Sequence, residues 1–177
     1  MDSVRTRITL AALIVCFALP GLAVGRQWNA VGVRGGVGDQ NNNESFSQVE
    51  AYLNYGLPWM WELDSKWVIG SFIALNAGAI RCEENAFVGS IGPGFYFMTP
   101  SHRFVFSAGI YPTYISRSKF GEEDFGGWFQ FTSSACINFN FKSNLTAGYC
   151  FQHMSNAGLY DNNPGLNTHL IGLGFRF

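Results

Sequence analysis

Charge is what this chain has least of. Only 13% of its 177 residues are Asp, Glu, Lys or Arg, about half the ~25% usual for a soluble domain. The signs nearly cancel, 11 basic against 12 acidic for a net charge of −1. With no basic patch, nucleic acid is not an expected partner. Long hydrophobic runs are also scarce, and the one that stands out is at the front. Arg5 and Arg7 precede an apolar stretch over 8–19, Pro20 and Gly21 break it, and Ala23-Val24-Gly25 offers small residues before Arg26. That is the layout of a secretory signal peptide. Residues 1–25 are therefore expected to be cleaved on export, leaving 26–177 as one domain; an uncleaved anchor is the alternative. No later stretch approaches the ~20 apolar residues of a membrane helix. Helical periodicity and internal repeats are absent as well. Cysteine is sparse: Cys16 leaves with the signal, and Cys82, Cys136 and Cys150 make neither a disulfide scaffold nor a CxxC site. The three histidines, His102, His153 and His169, have no ligand spacing, so neither a metal nor a cofactor is expected.

What the chain has in quantity is aromatic residues and glycine, with 17 Phe and 21 Gly. Clusters of Gly, Pro, Asn and Ser divide it into eight segments, near 27–38, 45–57, 66–80, 86–98, 102–116, 127–141, 144–157 and 166–177. Most alternate with a period of two, the mark of β-strands. In the sixth, Phe129, Phe131, Ala135, Ile137, Phe139 and Phe141 oppose Gln130, Thr132, Ser134, Cys136, Asn138 and Asn140. Large apolar side chains on one face, and small or polar ones on the other, suit two architectures. A soluble barrel turns the apolar face in; a transmembrane barrel turns it out to lipid. The second is preferred here. The polar faces suit a narrow hydrogen-bonded lumen, and the chain ends on Phe177 with apolar residues at alternate positions before it. The fold expected is an all-β, eight-stranded antiparallel transmembrane β-barrel, with both ends of the domain on the periplasmic side. Arg34, Glu50 and Arg176 fall on the polar faces of strands that closure makes neighbours, where they can pair. A three-residue turn at 142–144 sets Cys136 opposite Cys150, where a disulfide can form in an oxidising compartment. Trp59 and Trp61, flanking a turn at Pro58, and Trp67 suit an interfacial girdle. Glu122, Glu123 and Asp124 read as a solvated loop tip.

The seventh strand carries the chemistry. Leu145, Ala147, Tyr149, Phe151, His153 and Ser155 share its apolar face, so an imidazole and a hydroxyl two residues apart end a lipid-facing row. A histidine beside a serine is how a weak nucleophile acquires a base. Strand parity places Asn167 and His169 on the same outer surface, at the depth of the outer leaflet. Polar groups facing lipid are costly and therefore functional by default.

The run Phe151-Gln-His-Met-Ser-Asn-Ala-Gly-Leu159, followed by Asn163-Pro-Gly-Leu-Asn167, resembles the active-site signature of the PagL-type lipid A 3-O-deacylases, the acyloxyacyl hydrolases of Gram-negative outer membranes. The resemblance implies an outer-membrane esterase that removes an ester-linked acyl chain from the 3 position of lipid A. It implies Ser155 as nucleophile, His153 as general base, and Asn156 and Gly158 in the oxyanion hole. Its partners would be lipopolysaccharide and the outer membrane, with a homodimer as an option. The family's third triad member is Glu where this chain has Asn167. An amide can orient an imidazole but brings no negative charge, so help is expected from another group; Asp161 is the nearest acid in sequence. A non-catalytic small barrel, structural or adhesive, and a secreted soluble ligand-binding barrel are the competing readings.

Overall fold

The computed structural model describes residues 28–39 and 44–177; the signal peptide expected over 1–25 and the asparagine run at 41–43 lie outside the described residues. Among the described residues ten strands form: β1 Ala30–Gly38, β2 Ser47–Glu62, β3 Val68–Arg81, β4 Asn85–Met98, β5 Phe104–Ile115, β6 Lys119–Phe120, β7 Glu123–Asp124, β8 Phe129–Asn140, β9 Leu145–Ser155 and β10 Leu166–Arg176. Eight of them close into an antiparallel barrel in the order β1-β10-β9-β8-β5-β4-β3-β2, while β6 and β7 make a separate small hairpin. Closure gives every interior strand two hydrogen-bonded neighbours, the condition for crossing hydrocarbon.

The alternation is inverted relative to a soluble barrel. Ile171 is 74% exposed and Leu173 66%, whereas Glu50 and Gln152 are 4% and 3% exposed. The apolar faces therefore line the outside, as in a barrel that meets lipid. Aromatic residues cluster at the edge of that face: Trp67 stacks on Phe97 with ring centroids 4.5 Å apart, and Phe104, Phe141 and Phe177 are exposed nearby in sequence to the periplasmic turns.

The lumen is filled in three layers. Near the termini Trp28, Phe72, Tyr96 and their neighbours form an apolar cluster. Two inward glycines make room for it: a Cβ on Gly70 would lie 2.3 Å from the Tyr96 ring, and one on Gly94 2.3 Å from the Phe72 ring. The middle layer is polar and centred on Glu50, which accepts from Arg34 Nε at 2.5 Å, Gln48 Nε2 at 2.8 Å and Gln152 Nε2 at 2.9 Å. Arg34 also donates to Asn76 at 3.1 Å, and Asn76 to Ser90 at 2.9 Å. The outer layer is a second apolar plug in which Phe46, Phe120 and Phe125 meet edge to face.

Several sequence expectations change. Pro58 does not turn the chain: β2 runs on to Glu62, with a register shift between Gly56 and Met60. A proline lacks the N–H a ladder needs, and a bulge accommodates it. The periplasmic turn lies at 63–67 instead, where Lys66 takes a φ of 65°. Pro93 and Pro112 similarly coincide with a gap in the β4–β5 ladder between Ser90↔Thr113 and Gly94↔Gly109. Of the loop 122–124 only Glu122 is exposed; Glu123 is 1% exposed, because the β6–β7 hairpin folds Phe120 and Phe125 over the barrel mouth. Glu44 fastens that hairpin, accepting from the Glu122 N–H at 3.2 Å and the Cys82 thiol at 3.0 Å. Those two donors, the thiol first, hold its carboxyl below the usual range. Arg176 does not join Arg34 and Glu50; it lies at the periplasmic end and donates to the Phe141 carbonyl at 3.2 Å. The turn at 142–144 does set the register, with Phe141 N–H bonded to Leu145 O. Cys136 pairs with Cys150, and the two form a disulfide.

Glu50→Ala would leave the Arg34 guanidinium, whose side chain is 11% exposed, without its counter-charge. Breaking a buried ion pair from one side costs about 3–5 kcal/mol. Urea titration of the folded barrel in detergent should show that loss, and an unchanged midpoint would contradict it.

Candidate active site on the lipid-facing wall

Three strand ends meet at the outer rim. His153 and Ser155 close β9, Asn167 is the second residue of β10, and Asp39 follows directly after β1. Register puts Asn167 opposite His153, and the Asp39 N–H bonds to the Asn167 carbonyl at 2.9 Å. Asp39, Asn167 and His153 thus form one row across the sheet, perpendicular to the strands. Odd positions of β9 and β10 point outward here, while Gln152, Met154 and Thr168 are buried. All of His153, Ser155 and Asn167 are half-buried on the outer wall.

The row is hydrogen-bonded along its length. Asn167 Nδ2 donates to Asp39 Oδ2 at 3.1 Å, and Asn167 Oδ1 faces His153 Nδ1 at 2.8 Å. The carboxylate accepts only, so it selects the amide's NH2 side and turns the carbonyl oxygen toward the imidazole. A carbonyl oxygen in turn requires a proton on Nδ1, leaving Nε2 as the basic nitrogen. Asp39 Oδ1 also lies 3.3 Å from His169 Nε2, and the Tyr149 hydroxyl is 2.6 Å from His169 Nδ1. His169 packs on Phe151 with ring centroids 5.3 Å apart. Tyr149, His169, Asp39, Asn167 and His153 therefore make a continuous polar track on an otherwise apolar surface.

Ser155 is the last residue of its strand, and among the described residues its hydroxyl has no hydrogen-bond partner. It lies two positions beyond His153 on the same face, a Cα spacing of roughly 7 Å. The turn that follows is held by Asn156, which points into the barrel and is 0% exposed. Its Nδ2 donates to Phe125 O at 3.0 Å and Asn162 O at 2.6 Å, its Oδ1 accepts from Gly158 N–H at 2.9 Å, and its own N–H donates to Asn163 Oδ1 at 3.0 Å. Ala157 and Gly158 take φ values of 53° and 79°. The expected oxyanion donors, Asn156 and Gly158, are thus both engaged within the turn. The Ala157 N–H has no acceptor among the described residues. Gly165 flanks the imidazole from the other end of the loop, where a Cβ would come within 3.1 Å of His153 Cε1.

Asp161, the acid nearest in sequence, lines a loop cavity with Glu122, Asp124 and Asn162, whereas the acid hydrogen-bonded into the row is Asp39. Residue 39 falls between the strands expected near 27–38 and 45–57. Its signal was available in the closure of the first strand on the last, since Gly38 pairs with Thr168 and the next step reaches Asn167. His102, at a φ of 56° in a periplasmic turn, takes no part.

Known proteins resemble this chain in sequence and in fold. The model of the lipid A 3-O-deacylase (PagL) family matches residues 47–176. The lipid A deacylase PagL of Bordetella bronchiseptica is 28% identical over 134 residues, covering 71% of this chain and 74% of that protein. The crystal structure of the outer membrane enzyme PagL superposes with a TM-score of 0.70 at 19% identity, covering 84% of this chain and 99% of that one.

Asn156→Ala removes the side-chain partner of the Asn162 carbonyl and of the Gly158 N–H in the turn after Ser155, and one of the two donors to the Phe125 carbonyl. Each buried group left unsatisfied costs about 1–3 kcal/mol. The barrel should keep its shape while amide exchange and proteolysis speed up over 156–163; protection equal to the parent protein would contradict the bracing role.

Proposed function

The chain belongs to the PagL family of lipid A 3-O-deacylases, and from that membership we propose that it is an outer-membrane esterase hydrolysing the 3-O-linked acyl chain of lipid A through Ser155 and His153. The observation that carries the reading is the 2.8 Å contact between His153 Nδ1 and Asn167 Oδ1 on a wall that faces lipid. An imidazole held in one orientation on a lipid-facing wall suits a general base, and a substrate anchored in lipid by its acyl chains can meet it there.

In this mechanism the Ser155 Oγ attacks the acyl carbonyl carbon while His153 Nε2 takes its proton. The tetrahedral oxyanion is met by main-chain donors of the turn after Ser155. The unbonded Ala157 N–H is the best placed by its chemistry, with Asn156 and Gly158 shaping the turn. The imidazolium then protonates the sugar oxygen as the C–O ester bond breaks, leaving an acyl–Ser155 ester. Water, deprotonated by Nε2, releases the fatty acid and restores the serine. The Ser155–His153 hydrogen bond forms in the substrate complex, as catalytic contacts commonly tighten on binding. The protein reaches its membrane by export and cleavage near residue 25.

Mass spectrometry of lipid A incubated with the refolded protein should show loss of one hydroxyacyl chain. Ser155→Ala should lower the rate by at least about 10³-fold, since removing a nucleophile eliminates the covalent route. Unchanged lipid A with a folded parent barrel would favour the non-catalytic small barrel instead.

A further inference from the structure

Asn167 gives the imidazole an acceptor but no charge, and the imidazolium that forms during turnover needs one nearby. A carboxylate stands one hydrogen bond further along the row. We propose that Asp39 is the charged member of this site, acting on His153 through Asn167 as a positioning residue. The inference rests on the Ser155–His153 reading above.

Two observations carry it. Asp39 meets the Asn167 carboxamide on its NH2 side at 3.1 Å while His153 meets the oxygen side at 2.8 Å. A group that only accepts can hold the amide in just one orientation, so Asp39 determines which ring nitrogen of His153 is basic. The backbone bond from the Asp39 N–H to Asn167 O at 2.9 Å fixes the carboxylate's position at the end of β1, so the arrangement does not depend on a free loop conformation. The polarisation runs the right way too. A negative charge behind the NH2 group draws electron density toward the amide oxygen, making it a stronger acceptor for the His153 Nδ1 proton. Among the described residues, the other groups that face Asp39 are His169, at 3.3 Å from its second oxygen, and Tyr149 behind His169. That hydrogen-bonded pair holds the carboxylate from the β10 and β9 side and leaves its Oδ2 for Asn167. A single acid directly on the imidazole is replaced here by an acid and an amide in series.

The test compares the refolded full-length barrel with Asp39→Asn and with the exchange Asp39→Asn/Asn167→Asp, assayed on lipid A in mixed micelles. Folding of each is checked by gel mobility without heating and by an intact Cys136–Cys150 disulfide. Asp39→Asn keeps size and an acceptor but removes the charge and lets the Asn167 amide turn over. It should lower kcat about 10-fold or more, a fraction of the ~10²–10⁴-fold that a general base supplies, with KM changed by less than about twofold because Asp39 touches no substrate. The exchange places the carboxylate on the imidazole and should restore kcat to within about threefold of the parent. A brace that was merely structural would not be rescued by moving the charge. Parent-like kcat in Asp39→Asn, or an exchange variant no faster than Asp39→Asn, would overturn the inference and leave the esterase reading standing. A folded parent with no turnover would overturn both.

Discussion

Hydrocarbon offers no hydrogen bonds, and every feature of this protein follows from that. The backbone must satisfy itself, so the sheet closes. Closure gives each strand an inside and an outside, and the period of two then sorts side chains onto them without exception for size or charge. Polar residues belong inside, where Arg34, Glu50, Gln48, Gln152 and Asn76 complete one another's hydrogen bonds. Polar residues outside have no such company and stand out against the wall of Val, Ile, Leu and Phe. Tyr149, His169, Asp39, Asn167 and His153 form one connected exception at the outer rim, with Ser155 beside it.

The position of that exception matters as much as its chemistry. A site on the lipid-facing wall receives a substrate whose acyl chains never have to leave the bilayer, so no pocket deep in the barrel is required. The lumen is accordingly filled with two apolar plugs and a polar belt, which makes the barrel a rigid post. Rigidity has a purpose here, since His153, Asn167 and Asp39 come from three strands and their alignment depends on register alone. The inward Asn156 plays the matching role at the turn, with four hydrogen bonds tying the end of β9 to the loops over the mouth.

The sequence made some of this legible and hid the rest for physical reasons. Strict alternation in β8, β9 and β10 revealed the strands and their faces, and the length of one turn was enough to pair Cys136 with Cys150 and to place His153 outside. The antiparallel pairing of the first two strands brought Arg34 to Glu50. What escaped was whatever alternation does not encode. Pro58 imitates a turn, but the bulge absorbs it and β2 continues. The two-residue strands at Lys119–Phe120 and Glu123–Asp124 are too short to carry a period, so the plug they build was read as a solvated tip. Asp39 depends on the register between the first strand and the last, the longest-range pairing in the chain. Asn156, one step beyond Ser155, faces inward by the same parity that turns Ser155 out, and its bracing role needs the loop's partners to be seen.

The central claim is that a serine activated by histidine is displayed to the lipid phase. It is tested most directly by adding a long-chain fluorophosphonate, which partitions into the bilayer and labels only activated nucleophiles, to the protein reconstituted in vesicles. Peptide mass spectrometry then locates the adduct. The account predicts a single adduct on Ser155 that disappears in His153→Ala. Labelling at another residue, or an adduct on Ser155 indifferent to the loss of His153, would contradict it.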